Sequence, residues 1–226
     1  MTGCFVVLEG GEGVGKTTQW QRLADRLERA GHAVVALREP GGTRAGDVLR
    51  GVLLDPASTL APNTEALLFA ASRAQLVEAV IRPALARDAV VLVDRFLLST
   101  YAYQGAGRGI SRDVLRAINH VATNGAAPDL TLLLTMSLDA ALARMHSRGN
   151  ADRMEREGHA FHTRVQRAFL NAADKDWQLQ HPEIGPVATI DANGSVNEVT
   201  ERCVALLVAH WPARFASLAV AEVTHG

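Results

Sequence analysis

A run of glycines that ends in a lysine and a threonine is the first segment of the chain that could do chemistry. Residues 10–17 (GGEGVGKT) match the pattern G-x-x-x-x-G-K-[ST]. Glycines leave backbone N–H groups unobstructed, so these groups can converge on a phosphate at a helix N-terminus. We expect Lys16 to bridge the β- and γ-phosphates of ATP, the Thr17 hydroxyl to bind Mg²⁺, and Thr18 to assist. The predicted cradle comprises Gly10, Gly11, Glu12, Gly13, Val14, Gly15, Lys16, Thr17 and Thr18. The structural alternative is a glycine-rich turn that caps a helix.

A carboxylate and a guanidinium follow an apolar run later in the chain. The segment VVLVDR ends in Asp94 and Arg95. If the run is a parallel strand beside the glycine loop, both side chains emerge at the carboxyl edge of the sheet. Asp94 could then hold the water shell of Mg²⁺, and Arg95 could contact a phosphate. In the structural alternative, Asp94 caps the next helix and Arg95 pairs with it.

Residues 147–157 (SRGNADRMERE) are polar and rich in arginine, and we interpret them as a mobile lid. Phosphoryl transfer requires positive charge around the transferred group, and closure of a lid could deliver it. The candidates are Arg148, Arg153 and Arg156. An exposed, highly charged loop is the alternative.

Elements that could position these residues alternate along the chain. Apolar runs predict strands at residues 4–9, 33–37, 89–93, 130–134 and 187–190. Helical periodicity predicts helices at about 16–30, 44–54, 64–86, 112–123, 138–146, 159–179 and 195–210, with Gly31 ending the first. Residues 103–111 and 147–157 are expected to be irregular. Continuous apolar runs favour parallel strands that are covered on both faces, so the pattern predicts a doubly wound α/β sandwich.

Length and composition limit the classes of protein. The chain of 226 residues is predicted to form one domain over residues 1–212, followed by a tail over 213–226. A net charge of −1 argues against a nucleic-acid partner. Two isolated cysteines, and the lack of a secretory or 18-residue apolar segment, predict a cytoplasmic protein without a membrane anchor.

A GTPase switch is the competing class of P-loop protein. Guanine specificity in that class normally depends on an N-K-x-D element. Neither lysine of the chain, Lys16 or Lys175, lies in such an element. The pattern therefore favours an enzyme.

Four further motifs resemble those of thymidylate kinases, in the family's order. Residues 38–43 (REPGGT) and 94–96 (DRF) resemble its REPGGT and DR(Y/H) elements, and residues 69–73 (FAASR) resemble its thymine-binding helix. Residues 99–104 (STYAYQ) complete the set. The resemblance implies the P-loop nucleoside monophosphate kinase fold, with a five-stranded parallel sheet, and transfer of the γ-phosphoryl of ATP to dTMP with Mg²⁺. It also implies a role in dTTP synthesis for DNA. Phe96 departs from the usual Tyr or His, and any hydrogen bond made there is lost.

The resemblance also implies roles for individual side chains. Arg38 and Arg95 would clamp the phosphate of dTMP, since arginine matches phosphate geometry, and Arg50 is a third candidate. Phe69 would stack on thymine, and Arg73 would donate to its O4. The remaining roles are the thymine edge for Thr100 and Gln104, the deoxyribose 2′ position for Tyr103, and the 3′-hydroxyl for Glu12. From the residues alone, Phe69 and Tyr103 could be core aromatics, and Arg73 could be a solvated charge on a helix.

The arginines of the chain resemble one of two subtypes in this family. The phosphate loop has no arginine, whereas the lid has several, and this resembles the bacterial arrangement. The resemblance points first to Arg153 as the contact to the transferred phosphoryl, and to Arg144 as a stacking partner for adenine. It also implies a homodimer, for which the helix at 64–86 could serve. Another nucleoside monophosphate kinase, acting on dUMP, CMP or AMP, is the alternative among enzymes, and a deoxynucleoside kinase is more remote.

Overall fold

A computed structural model of the chain describes residues 3–146, 149 and 152–219. The strands are β1 (Cys4–Glu9), β2 (Val34–Arg38), β3 (Val90–Asp94), β4 (Leu130–Thr135) and β5 (Val187–Asp191). The helices before β4 are α1 (Lys16–Arg29), α2 (Arg44–Leu54), α3 (Pro62–Leu76), α4 (Arg82–Ala86), α5 (Leu97–Thr100) and α6 (Arg112–Thr123). Those after it are α7 (Leu138–His146), α8 (His159–Asn171), α9 (Lys175–Leu179) and α10 (Val196–His210). Two π-helical turns span Val77–Ile81 and Tyr101–Gly107.

Five strands form one parallel sheet within the described residues, in the order β2-β3-β1-β4-β5. Every residue of β1 and of β3 is buried, as expected for strands that are covered on both faces. The strand β1 lies in the centre, paired with β3 on one side and β4 on the other. The carboxyl ends of β1 and β3 are therefore neighbours, which brings residues 9–17 close to Asp94 and Arg95.

Two apolar layers enclose the sheet, because successive side chains of a strand point to opposite faces. On one face, Phe5 and Val7 pack with Val91, Val93 and a cluster that includes Phe96. On the other face, Val6 and Leu8 pack with Val90 and Leu92 under helices α1 and α10. This is the three-layer α/β sandwich that the sequence predicted, and the five strands lie within one residue of their predicted bounds.

Two predicted helices are interrupted. The helix predicted over 64–86 consists of α3, a π-helical turn and α4. Pro83 cannot donate a backbone hydrogen bond to the preceding turn, which accounts for the irregular pairing there. The helix predicted over 159–179 ends at Asn171, and α9 begins after Asp174, whose side chain accepts from the Trp177 N–H at 3.0 Å.

The prediction that residues 103–111 are irregular was wrong for its first half. Residues 101–107 form a π-helical turn that continues α5. Close packing explains the glycines that suggested a loop: a Cβ on Gly107 would lie 2.5 Å from the ring of Phe161. Here tertiary packing outweighs the low helical propensity of glycine.

Part of the predicted tail packs on the domain. Phe215 and Leu218 are 0% and 1% exposed and belong to the apolar layer with α10. The Arg26 guanidinium donates to the Leu218 carbonyl at 2.7 Å. The domain boundary after residue 212 stays a prediction. Among the described residues, no helix is both long and apolar enough to cross a membrane.

Candidate active site

The glycine-rich loop joins β1 to α1 and surrounds the start of that helix. Gly13 and Gly15 have φ of +75° and +93°, a region that glycine enters without strain. A Cβ on Gly13 would lie 1.9 Å from the Ala141 carbonyl oxygen, so close approach also requires glycine. The Lys16 ammonium donates to the Gly11 carbonyl at 2.6 Å and is thereby held over the loop.

Lys16 is buried, and this environment disfavours its charge. Loss of hydration, together with the neighbouring Arg95 guanidinium, lowers the pKa of its ammonium to about 8. Glu12 and Asp94 oppose the change. A phosphate that enters the loop would supply the negative charge that favours the protonated ammonium.

Thr17 and Asp94 meet across the carboxyl edge of the sheet. The Thr17 hydroxyl donates to Asp94 Oδ2 at 2.9 Å. The other carboxylate oxygen, Asp94 Oδ1, is buried and has no hydrogen-bond partner within the described residues. An unsatisfied carboxylate oxygen beside a hydroxyl suits a hydrated Mg²⁺ ion, which needs few protein ligands. The donor set therefore fits this metal.

Arg95 lies between the phosphate loop and the opposite wall of the site. Its φ is +72°, which turns the side chain back over the loop. The guanidinium donates to the Gly10 carbonyl at 3.0 Å and to Glu12 Oε1 at 2.6 Å, and it lies 5.1 Å from the centre of the Tyr103 ring. Burial opposes its charge, but the neighbouring carboxylates, Glu12 first and then Asp94, outweigh burial and raise the pKa of Arg95.

Glu12 also accepts from the Tyr103 hydroxyl, at 2.7 Å. Burial, together with Glu12, holds the pKa of that hydroxyl well above its ordinary value, although the charge of Arg95 opposes this. Tyr103 therefore stays a neutral donor. The three side chains form one fixed group at the mouth of the phosphate loop.

A cavity of about 240 Å³ extends from this group. Its wall includes all nine side chains that the sequence predicted for a phosphate-bearing acceptor and its nucleoside: Glu12, Arg38, Arg50, Phe69, Arg73, Arg95, Thr100, Tyr103 and Gln104. Lys16, Thr17, Thr18 and Asp94 line the same cavity. The structure thus brings residues from six separate segments of the chain to one space.

Arg73 is almost fully buried, so it is not the solvated charge that the sequence left open. Its guanidinium donates to Glu39 Oε2 at 2.9 Å, to Asn119 Oδ1 at 2.8 Å and to the Phe96 carbonyl at 3.1 Å. These bonds fix the plane of the guanidinium in the cavity wall. Burial raises the pKa of Glu39 to about 7 despite the charge of Arg73, and Glu39 Oε1 has no partner among the described residues.

Arg50 and Arg38 lie on the side of the cavity nearest β2. Arg50 donates to the Pro40 carbonyl at 2.8 Å, which holds its guanidinium against the segment after β2. Burial, together with the neighbouring Arg38, lowers the pKa of Arg50. Two close guanidinium groups with this mutual repulsion form a site for an anion.

The continuous described part of the predicted lid, residues 152–157, is called the lid segment below. Asp152 and Glu155 line the cavity, whereas Arg153 does not. Arg153 Nη1 instead donates to Glu65 at 2.7 Å and its Nε donates to the Leu53 carbonyl at 2.7 Å. The Arg153 guanidinium lies there because it neutralises the buried carboxylate of Glu65. A contact from Arg153 to the transferred phosphoryl stays a prediction, and it would require Arg153 to leave Glu65.

Of two other arginines predicted for the site, Arg148 and Arg144, the structure describes only Arg144. Arg148 lies outside the described residues. Arg144, on α7, is exposed, and its guanidinium lies 3.4 Å from the Ala192 carbonyl, after β5. A role for Arg144 in adenine binding stays a prediction.

Sequence reasoning missed three buried polar residues that organise the site. Glu9 is 0% exposed and accepts from the backbone N–H groups of Phe96 and Ser99 at 2.8 and 3.0 Å, which fixes the start of α5. Glu65 accepts a hydrogen bond from Arg153, and Asn119 accepts one from Arg73. The position of Glu9 at the end of a buried strand was a usable signal, but Glu65 and Asn119 lie inside helices α3 and α6, where no motif marks them.

The parallel sheet, the glycine-rich loop before α1 and the Asp94-Arg95 pair define a P-loop kinase. The family model for thymidylate kinase matches residues 8–202. The chain therefore belongs to the thymidylate kinase family.

The chain is also similar in sequence to curated thymidylate kinases, over most of the length of each relative. The chain is 51% identical to a thymidylate kinase of Deinococcus radiodurans, over 78% of this chain and 85% of the relative. It is 46% identical to one of Exiguobacterium sp., over 87% and 90%. It is 48% identical to one of Synechococcus sp., over 88% and 92%.

Proposed function

We propose that this protein transfers the γ-phosphoryl of ATP to dTMP and forms dTDP and ADP, a step in dTTP synthesis for DNA. The observation that carries the proposal is the shared cavity, in which the phosphate loop faces both an arginine cluster and a wall that ends in Phe69 and Arg73. Family membership supports the choice of dTMP.

The phosphate loop is the proposed donor site. Its N–H groups and Lys16 would bind the β- and γ-phosphates of ATP, since both the helix N-terminus and the ammonium attract anions. The adenine would lie toward Arg144 and the chain after β5. Thr17 and Asp94 would hold Mg²⁺, which would supply positive charge beside the phosphates of ATP.

The arginine cluster is the proposed acceptor site. Arg38, Arg50 and Arg95 would clamp the phosphate of dTMP, with Arg95 within reach of both substrates. A phosphate oxygen of dTMP attacks the γ-phosphorus, and the bond from that phosphorus to the bridging oxygen of ADP breaks. A general base is unnecessary, because a phosphate monoester with a second pKa of about 6 is largely ionised at neutral pH.

The buried wall of the cavity is the proposed base site. Phe69 is half-buried, so one face of its ring remains available for stacking on thymine. Arg73 would donate to O4, a contact that the exocyclic amine of cytosine could not accept. Tyr103 would crowd the 2′ position and Glu12 would bind the 3′-hydroxyl.

The lid is the proposed source of additional positive charge. Arg148 and Arg153 are the candidates for contact with the transferred phosphoryl. For Arg153, closure on ATP would have to exchange the Glu65 carboxylate for a phosphate oxygen.

We also propose a cytoplasmic homodimer. Helices α2, α3 and α6 expose large apolar side chains, among them Val48 at 67%, Leu67 at 56% and Val121 at 80%. Burial of these side chains against a second copy would remove apolar surface from water. Val121→Asp should shift the mass in solution from dimer to monomer, and an unchanged mass would argue against this face.

The free buried thiols of Cys4 and Cys203 suit a reducing compartment.

Product analysis tests the proposed activity. The protein is incubated with ATP, Mg²⁺ and dTMP, and the nucleotides are separated by anion-exchange chromatography. Equal amounts of dTDP and ADP, with neither product in Lys16→Ala, would support phosphoryl transfer. ADP without dTDP would indicate hydrolysis and contradict the proposal.

A further inference from the structure

Glu65, near the N-terminus of α3, is a fully buried carboxylate with four donors. It is 0% exposed. Oε1 accepts from Gln104 Nε2 at 2.8 Å and from Arg108 Nε at 3.2 Å. Oε2 accepts from Arg108 Nη2 at 3.0 Å and from Arg153 Nη1 at 2.7 Å. One carboxylate thus joins the base wall of the cavity to the lid segment.

The charge of Glu65 is stable in this environment. Burial alone would raise its pKa, but the hydrogen bonds from Arg108, Gln104 and Arg153 outweigh burial and lower the pKa. Glu65 is therefore an acceptor and not a donor at neutral pH. An ionised carboxylate accepts hydrogen bonds on both oxygens and offers no proton.

This charge determines which way the Gln104 amide faces. Because Glu65 accepts, the amide nitrogen of Gln104 must point toward it, and the carbonyl oxygen must point away. Gln104 is 2% exposed and lines the cavity, so the orientation of its amide determines which group it presents there. A carbonyl directed at a pyrimidine accepts from the N3–H of thymine, whereas N3 of cytosine is itself an acceptor.

The same carboxylate anchors the lid segment. Arg153 lies near the start of the segment and donates to Glu65 through its guanidinium. Its backbone N–H donates to the Leu54 carbonyl at 3.1 Å. Arg108, which also binds Glu65, pairs with Glu157 at the end of the segment at 2.6 Å. The Arg108 guanidinium lies 4.8 Å from the centre of the Phe161 ring. Both ends of the segment therefore depend on Glu65.

We propose that Glu65 is a positioning residue for base selection, which holds Gln104 as an acceptor for the N3–H of the substrate and couples that contact to the lid segment. The inference rests on the proposed function, because it assumes a 2′-deoxypyrimidine monophosphate in the cavity. Glu65 itself touches neither substrate. Its effect passes through Gln104 on one side and through Arg108 and Arg153 on the other.

The test uses Glu65→Gln, which retains the shape of the side chain and removes its charge. A glutamine at this position can accept from or donate to Gln104, so the Gln104 amide becomes free to turn. The ratio of kcat/KM for dTMP to that for dCMP should fall by at least about tenfold. A structural role without base selection would lower both values together and leave the ratio unchanged.

Glu78→Gln is the matched control. Glu78 follows α3, its side chain is 58% exposed, and it pairs with Arg82 at 3.1 Å, so it loses the same charge away from the cavity. The ratio should remain that of the unaltered protein. If the unaltered protein phosphorylates dTMP and Glu65→Gln retains its base preference, the inference is wrong and the proposed function stands. If the unaltered protein does not phosphorylate dTMP, the proposed function itself is wrong, and the inference that rests on it is wrong with it.

A second variant keeps the inference testable if Glu65→Gln does not fold. Gln104→Met removes the amide and leaves Glu65, Arg108 and Arg153 in place. Hydrogen exchange of residues 152–157 is measured with and without saturating dTMP. The coupling predicts that dTMP protects the segment in the unaltered protein and protects it much less in Gln104→Met. Equal protection in both proteins would overturn the coupling.

Discussion

The Thr17 hydroxyl donates a hydrogen bond of 2.9 Å to Asp94, although 77 positions separate the two residues. The contact exists because β1 and β3 are parallel neighbours, so the chain that leaves β1 and the chain that leaves β3 meet at one edge. It connects the phosphate loop to the segment that carries Arg95. The proposed metal site and acceptor clamp are thus parts of one arrangement.

Asp94→Asn should raise the Mg²⁺ concentration needed for half-maximal activity by about 10- to 100-fold. The amide lacks the negative charge that would hold the hydrated ion beside Thr17. The measurement is the rate of ADP release as a function of Mg²⁺ concentration. Asp88→Asn is the control, since that side chain is 59% exposed and pairs with Arg214. Identical Mg²⁺ dependence in Asp94→Asn and the unaltered protein would exclude Asp94 from the metal site.

Binding of ATP should take up protons near pH 8. Burial lowers the pKa of Lys16 to about 8, so the free protein loses this proton as the pH rises through that value. The triphosphate favours the charged ammonium and raises its pKa again, so affinity for ATP falls as the pH rises above about 8. Calorimetry in buffers of different ionisation enthalpy measures the proton uptake. Lys16→Met should lack it, and equal uptake in both proteins would refute the assignment.

Gly13→Ala should destabilise the fold by at least about 2 kcal/mol, whereas Gly11→Ala should change stability little. A Cβ on Gly13 meets the Ala141 carbonyl oxygen at 1.9 Å, in a backbone with φ of +75°. A Cβ on Gly11 meets nothing within 4 Å. Urea unfolding of both variants measures the difference. Similar midpoints for the two would mean that the loop does not pack on α7 as described.

Tyr103→Leu should lower the preference for deoxyribose over ribose by about tenfold, which corresponds to about 1.4 kcal/mol. The ring, and not its hydroxyl, is proposed to crowd the 2′ position. Tyr103→Phe retains the ring and loses the hydrogen bond to Glu12, so it should retain the preference. The measurement compares kcat/KM for dTMP with that for its ribose counterpart. An equal loss of preference in both variants would assign the effect to the hydroxyl.

The regular elements could be predicted because their signals are local. The strands are short apolar runs, and the glycine loop lies between a strand and a helix, so both were found within one residue. The π-helical turn at 101–107 could not be predicted, because three glycines at 105, 107 and 109 are typical of a loop. Contact with Phe161 of α8, which lies more than 50 positions away, decides its structure.

The candidate site was predictable where a residue type matches a chemistry. Lys16, Thr17, Asp94 and Arg95 belong to motifs, and the structure brings them together. Arg153 illustrates the limit: its sequence context indicates a mobile cation, but its observed partner is Glu65, whose burial no local pattern reveals. Long-range pairing of buried charges is determined by the packing of α3 against the rest of the domain.

The most direct test of the central claim is a competition among monophosphates. The protein, ATP and Mg²⁺ are mixed with equal concentrations of dTMP, dUMP, dCMP, CMP, UMP, AMP and GMP, and each diphosphate product is quantified, with Lys16→Ala as the control. The account predicts that dTDP dominates and that the control forms no product. Dominance of another diphosphate would contradict the assignment of Arg73, Thr100 and Gln104 to the thymine base, and the absence of every diphosphate would contradict the kinase activity itself.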